Sequence, residues 1–232
     1  MVTTSTPASA AARTGASTNA TRWAGLAGLL FAVSVAVENI WAGAAGLFPD
    51  PDAGADEIVE KFAEHGNEFG VLFGWVALTA IVLLGFLAGA WTRLRDADPV
   101  WARVGVIGAL LVAAFFPLSN VPLVALSIGG EDLAGEPALV NALWQTHLAT
   151  FAFTGLVLGV ALTGLSLAAV AAGLVPRWFR IVGPIGGLLL VGGAVPVKAN
   201  AEGSPATMIG GIGFIVWLVF LAWFGVRMWR EA

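Results

Sequence analysis

Trp23–Phe48 reads WAGLAGLLFAVSVAVENIWAGAAGLF. The run is longer than the roughly 20 apolar residues an α-helix needs to cross a bilayer core. Arg22 stands before it and Pro49-Asp50-Pro51-Asp52 follows it. As a secretory signal it is too long, because the apolar stretch of a signal peptide holds about 7–15 residues. Ala42-Gly43-Ala44 has the small residues of a cleavage site, but length decides for an uncleaved first transmembrane helix. Glu38 and Asn39 sit side by side within it.

The same pattern recurs along the chain. Apolar segments at 69–92, 101–128, 148–174, 179–197 and 206–228 are separated by connectors that carry charges, proline or glycine. Of the 232 residues, 58% are hydrophobic and only 11% charged. Soluble domains carry about 25% charged residues, so this chain cannot clothe a soluble surface. The expected fold is all-α: a polytopic membrane bundle of six transmembrane helices over residues 22–230. Residues 1–21 are small and polar without apolar periodicity, and are expected to form a disordered tail.

Basic residues orient the spans. Arg13, Arg22, Arg93, Arg95, Arg103, Arg177, Arg180, Arg227 and Arg230 fall on one side, and only Lys61 and Lys198 on the other. The excess of Lys and Arg in cytoplasmic connectors places both termini in the cytoplasm. The expected location is the cell membrane (inner or plasma membrane), with multiple passes. Trp23, Trp91, Trp101, Trp178 and Trp229 lie near the cytoplasmic ends, where indoles favour the headgroup zone. Trp41, Trp75, Trp217 and Trp223 lie deeper and are expected to pack between helices. Gly70/Gly74, Gly85/Gly89 and Gly155/Gly159 form GxxxG pairs, which let helix backbones approach in lipid.

Composition also excludes chemistry. With no cysteine there is neither a disulfide nor a thiolate ligand. His65 and His147 are the only imidazoles, which argues against zinc or haem. No metal or cofactor is expected. Lys198 lies at a span end, where a retinal Schiff base would not form. No basic tract suits nucleic acid. The partners expected are membrane lipid and a lipidic or apolar small molecule.

Three stretches carry a resemblance: RWAGLAGLL from Arg22, the acidic connector after the first span, and AAGLVPRWFRIVGPIGGLLL over 171–190. With them the chain resembles a large family of uncharacterised six-span bacterial integral membrane proteins. Its Pro176-Arg177 turn before the fifth span is the most specific element. The resemblance implies a six-helix membrane fold and supplies no catalytic residues.

The polar residues within spans are the candidate site. A lipid-facing carboxylate near mid-membrane costs about 2.5–3.5 kcal/mol or more. Glu38 must therefore face the bundle, hold a proton or find a partner, and Ser34 and Trp41 share its face at i−4 and i+3. Asn39 points about 100° away and suits an interhelical hydrogen bond. Asn120 is bracketed by Pro117 and Pro122, which free backbone carbonyls, as in a kinked packing helix or the broken helix of a transporter. His147 at the outer start of the fourth span shares a face with Phe151 and Thr154. Lys198 either snorkels to the surface or turns in toward Glu38. Grouping Glu38 with Asn120 and with Lys198 or Asn200 in a cluster opening outward would satisfy several costly groups together. Ile58 and Phe62, four residues apart among carboxylates, predict an amphipathic helix over the outer mouth.

Three functions fit these residues. The first is binding of a small apolar or lipidic ligand in an outward-opening intramembrane pocket, with Glu38, Asn39, Trp41, Asn120, His147 and Lys198 as candidates. The second is an intramembrane enzyme acting on an isoprenoid or lipid, with Glu38 as general acid. The third is a small transporter of two inverted repeats, for which the second half offers no counterpart of Glu38-Asn39-Ile40-Trp41.

Overall fold

The computed structural model describes residues 8–202 and 204–231, and everything regular in them is helical. The long helices are α1 (Ala8–Ala44), α3 (Gly66–Leu94), α4 (Pro99–Gly129), α5 (Pro137–Ala171) and α8 (Ala206–Arg230). All five are long and apolar enough to cross a membrane. Shorter helices are α2 (Ala55–Glu64), α6 (Phe179–Ala194) and α7 (Val197–Ala201). A helical membrane bundle accounts for this pattern. Leu78, Ile81, Ile107, Val121, Leu188 and Ile215 are all exposed on its outside, where water would penalise them and lipid does not.

Local chemistry sets several boundaries. Asp98 caps α4 by accepting from the Trp101 amide at 3.2 Å, with Pro99 following as the first helical residue. Gly46, at φ +61°, turns the chain out of α1, a conformation that suits a residue without Cβ. Two expected boundaries are corrected. The helix containing the fourth apolar segment begins at Pro137, not near 148. Val140, Trp144, His147 and Phe151 repeat at helical spacing through the supposed connector, and Val140, Trp144 and His147 are buried. The expected tail is helical from Ala8, where Ala8, Ala10, Ala11 and Ala12 supply strong helix formers. Residues 1–7 of that tail lie outside the described residues.

The helices pack as a closed ring in the order α1, α3, α4, α5, α6, α8, with α8 returning against α1. Each neighbour runs antiparallel to the last. Glycines let the backbones meet. A Cβ on Gly225 would lie 2.7 Å from the Gly25 carbonyl oxygen, and one on Gly108 2.8 Å from the Ala161 amide. One on Gly159 would meet the Gly187 carbonyl oxygen at 2.6 Å, and one on Gly213 the Gly186 carbonyl oxygen at 2.5 Å. In lipid such approach replaces the expulsion of water as the source of association. Of the GxxxG pairs, Gly155/Gly159 faces α6, and Gly85/Gly89 faces α1, Gly89 closely. Gly70 and Gly74 face open space, because they fall on the outer surface of α3.

α2 lies across the acidic end. Ile58 and Phe62 are buried while Asp56, Glu57, Glu60 and Glu64 are exposed. Phe62 stacks on Phe69 with ring centres 4.1 Å apart. Lys61 Nζ donates to the Gly46 carbonyl at 3.3 Å, and Trp144 Nε1 to the Pro51 carbonyl at 3.2 Å. The amphipathic pattern read from the sequence is thus realised as a packed cap.

Candidate functional site

Two apolar clusters fill the ring. One occupies the arginine-rich end and includes Val35, Leu83, Val112 and Leu158. The other occupies the acidic end beneath α2 and includes Ala42, Leu72, Leu123 and Trp144. On four helices six of the buried polar residues fall in the interval between them, while Thr21 and Ser166 lie apart, toward the arginine-rich end. Glu38 lies between Val35 and Ala42 on α1, and Thr79 between Leu72 and Leu83 on α3. Ser119 and Asn120 lie between Val112 and Leu123 on α4, and His147 and Thr154 between Trp144 and Leu158 on α5. The bundle therefore has a polar layer sandwiched by two apolar plugs.

Most of that layer is satisfied locally. Thr79 and Thr154 donate to carbonyls on their own helices at 2.9 and 3.2 Å. Asn120 Nδ2 and Ser119 Oγ both donate to the Phe116 carbonyl, at 2.8 and 2.7 Å. α4 continues through Pro117 and Pro122, so the pair forms no broken helix. His147 reaches across to α4: its Nδ1 lies 2.7 Å from the Ser119 carbonyl oxygen. A carbonyl can only accept, so Nδ1 carries the proton in that bond. Its ring is flanked by Trp144 and Phe151, centres 5.3 and 5.9 Å away. His147 stands in the third turn of α5, deeper than a span start.

Glu38 is the exception. The residue is 7% exposed, and its Oε2 is sealed with no hydrogen-bond partner. On the same face one turn away, Ser34 Oγ accepts from Trp75 Nε1 at 2.6 Å, joining α1 to α3. That bond uses a lone pair of the Ser34 oxygen, and the Ser34 hydroxyl does not reach Glu38 Oε2. A sealed carboxyl oxygen without a donor is costly and calls for an explanation.

The remaining candidates do not gather around it. Asn39 is exposed and donates to the Val35 carbonyl of its own helix at 2.8 Å. Trp41 is half-buried against the apolar cluster under α2. Trp223, expected between helices, is 45% exposed, whereas Trp217 is buried. Lys198 does not turn inward: its side chain is 92% exposed and lies 3.8 Å from Glu202. Asn200 Nδ2 donates to the Gly193 carbonyl at 2.6 Å. The expected cluster of Glu38 with Asn120 and Lys198 or Asn200 is therefore corrected. Each other member has a nearer partner, and α1 packs on α3 and α8, not on α4. Nor does the layer open outward here, since Leu47, Ile58, Phe62 and Phe69 fill that end.

What the sequence reading missed is the Ser34–Trp75 bond and the acceptor of His147. The first was signalled by a serine and an indole at depth. The second had no signal, because a backbone carbonyl carries no letter.

Two cavities lie at the ends of the bundle. One, of about 540 Å³, is walled by Asp56, Glu60 and Glu64 of α2 with Glu131 and Ala134. The other, of about 410 Å³, lies at the arginine-rich end between the start of α4, the end of α5 and the turn into α6.

Residues 23–225 match the family model described as a domain of unknown function, DUF4386. The match spans most of the chain, and the protein belongs to that family. No curated protein and no solved structure matches it.

Proposed function

We propose that the protein is a six-span integral protein of the cell membrane that binds a small apolar or lipidic ligand in the polar layer, anchored by Glu38. The observation that carries this reading is the sealed Glu38 Oε2 without a partner, placed between two apolar clusters. A ligand with an apolar body and one hydrogen-bond donor, such as a lipidic alcohol or amine, would supply what that oxygen lacks. α2 then serves as a lid on the outer side, and the pocket opens outward when it lifts. The lid rests on few side chains, chiefly Ile58 and Phe62.

The sixth span is α6 with its continuation. Phe179–Ala194 alone covers about 24 Å at 1.5 Å per residue, short of a core about 30 Å thick. α7 extends it past Pro196. The break is stapled: the Val197 amide donates to the Val195 carbonyl at 2.8 Å, leaving the Gly193 carbonyl to Asn200. Both termini face the cytoplasm, in keeping with nine arginines at one end.

The test is mass spectrometry of small molecules retained by the purified protein, with Glu38→Ala and the near-isosteric Glu38→Gln. The reading expects one apolar species enriched in the wild type and lost from Glu38→Ala. Identical profiles in all three would sink it. Reporter fusions at Ala232 and within residues 49–66 test the orientation, which fails if both report the same side.

A further inference from the structure

The groove at the arginine-rich end combines three chemistries. Arg177 and Arg180, three residues apart on the turn into α6, supply guanidinium groups. Leu167, Val170 and Ala171 of α5 form an apolar wall, and Trp101 of α4 completes it. Trp101 is 39% exposed. Among the described residues neither arginine has an ion-pair partner, although Arg93, Arg95 and Arg227 at the same end each have a carboxylate. The amides opening α6 are already engaged: Phe179, Arg180 and Ile181 donate to the carbonyls of Pro176, Arg177 and Trp178. An anion in this groove would therefore be held by side chains.

We propose that this groove binds the headgroup of an anionic phospholipid. Arg177 and Arg180 clasp the phosphodiester, an acyl chain lies along Leu167, Val170 and Ala171, and Trp101 packs at the headgroup level. Guanidinium groups match phosphate oxygens in forked geometry, and indoles favour this depth. Asp98 also lines the groove. Two arginines against one carboxylate leave one net positive charge, the complement of a singly anionic headgroup. Asp98 Oδ1 accepts from the Trp101 amide, which leaves its other oxygen to accept from a headgroup hydroxyl. That points to a phosphatidylglycerol-type lipid over a zwitterionic one. The site lies at the opposite end of the bundle from α2 and uses no residue of the Glu38 layer, so each proposal can fail without the other.

Native mass spectrometry of the full chain in detergent, titrated with phosphatidylglycerol, phosphatidylethanolamine or phosphatidylcholine, tests it. Phosphatidylglycerol should bind at least about tenfold tighter than phosphatidylcholine, given roughly a factor of five for each basic residue near anionic lipid. Arg177→Gln with Arg180→Gln should collapse that gap, while Arg95→Gln at the same end should keep it, and so should Glu38→Ala. Equal binding of the three lipids overturns the proposal, as does a gap that survives the double glutamine variant. Displacement of phosphatidylglycerol by inorganic phosphate at comparable concentration would assign the groove to a soluble phosphate and overturn the lipid. Should the glutamine variant aggregate, Arg177→Lys with Arg180→Lys keeps the charge and removes the fork. It should bind phosphatidylglycerol several-fold more weakly than wild type, and unchanged binding counts against the clasp.

Discussion

At the acidic end of the bundle, a separate ten-residue helix lies over the ring and is held by aromatic side chains, Phe62 on Phe69 and Trp144 on the Pro51 carbonyl. At the arginine-rich end the long helices hold one another directly. Gly25 meets Gly225 and Gly105 meets Gly164, backbone against backbone. The first arrangement can come apart without disturbing the ring, since α2 is an addition to it. The second cannot, because each glycine contact is part of a seam between two spans. The cap is thus held by side chains alone, whereas the seams add backbone contact at glycines to ring contacts such as Phe86 on Phe224.

Gly164→Val should separate the two ends most sharply. A Cβ there meets the Gly105 backbone and, at 2.9 Å, the Trp101 carbonyl oxygen. Backbone cannot move aside as a rotamer can, so the expected loss is about 3 kcal/mol or more, read as a lower unfolding temperature in detergent. A wild-type melting curve would break the account of the seams. Phe62→Ala should cost about 2–3 kcal/mol, somewhat less than in a fully enclosed core, because α2 can detach on its own. Hydrogen exchange should then rise over residues 55–64 while α4 and α5 stay protected; exchange rising across the whole ring would mean the cap is no separate unit. Between the ends, His147→Phe removes the donor to the Ser119 carbonyl and should cost about 1 kcal/mol. The smallest effect belongs to Trp75→Phe, about 0.6 kcal/mol for one hydrogen bond between membrane helices. If it exceeds the His147 effect in the same melting assay, Ser34 contributes more than a tie between α1 and α3.

Much of this comparison was readable from the sequence. Ile58 and Phe62 at helical spacing among carboxylates gave the cap, and apolar length gave the long helices. Glu38 was recognisable as buried because lipid would not tolerate it. Its isolation was not recognisable. Grouping polar residues by cost assumed they would seek each other, yet Asn120, Thr79 and Thr154 turned to carbonyls of their own helices, which are always within reach. The contacts that close the ring were equally hidden. Gly70/Gly74 and Gly155/Gly159 share one pattern, and only the first faces open space. A spacing rule says which residues share a face of a helix, not which neighbour that face meets.

The seam between α1 and α8 joins the first and last long helices of the chain. It therefore cannot form until α8 has been made. At about 5–20 residues per second, α1 waits on the order of ten seconds or longer for its second neighbour. During that interval the helix carrying Glu38 has α3 beside it and nothing where α8 will be. Glu38 is therefore made well before the ring around it can close. A chain stopped short of Ala206 would keep Gly25 uncovered on that flank, a half-built wall open to membrane quality control.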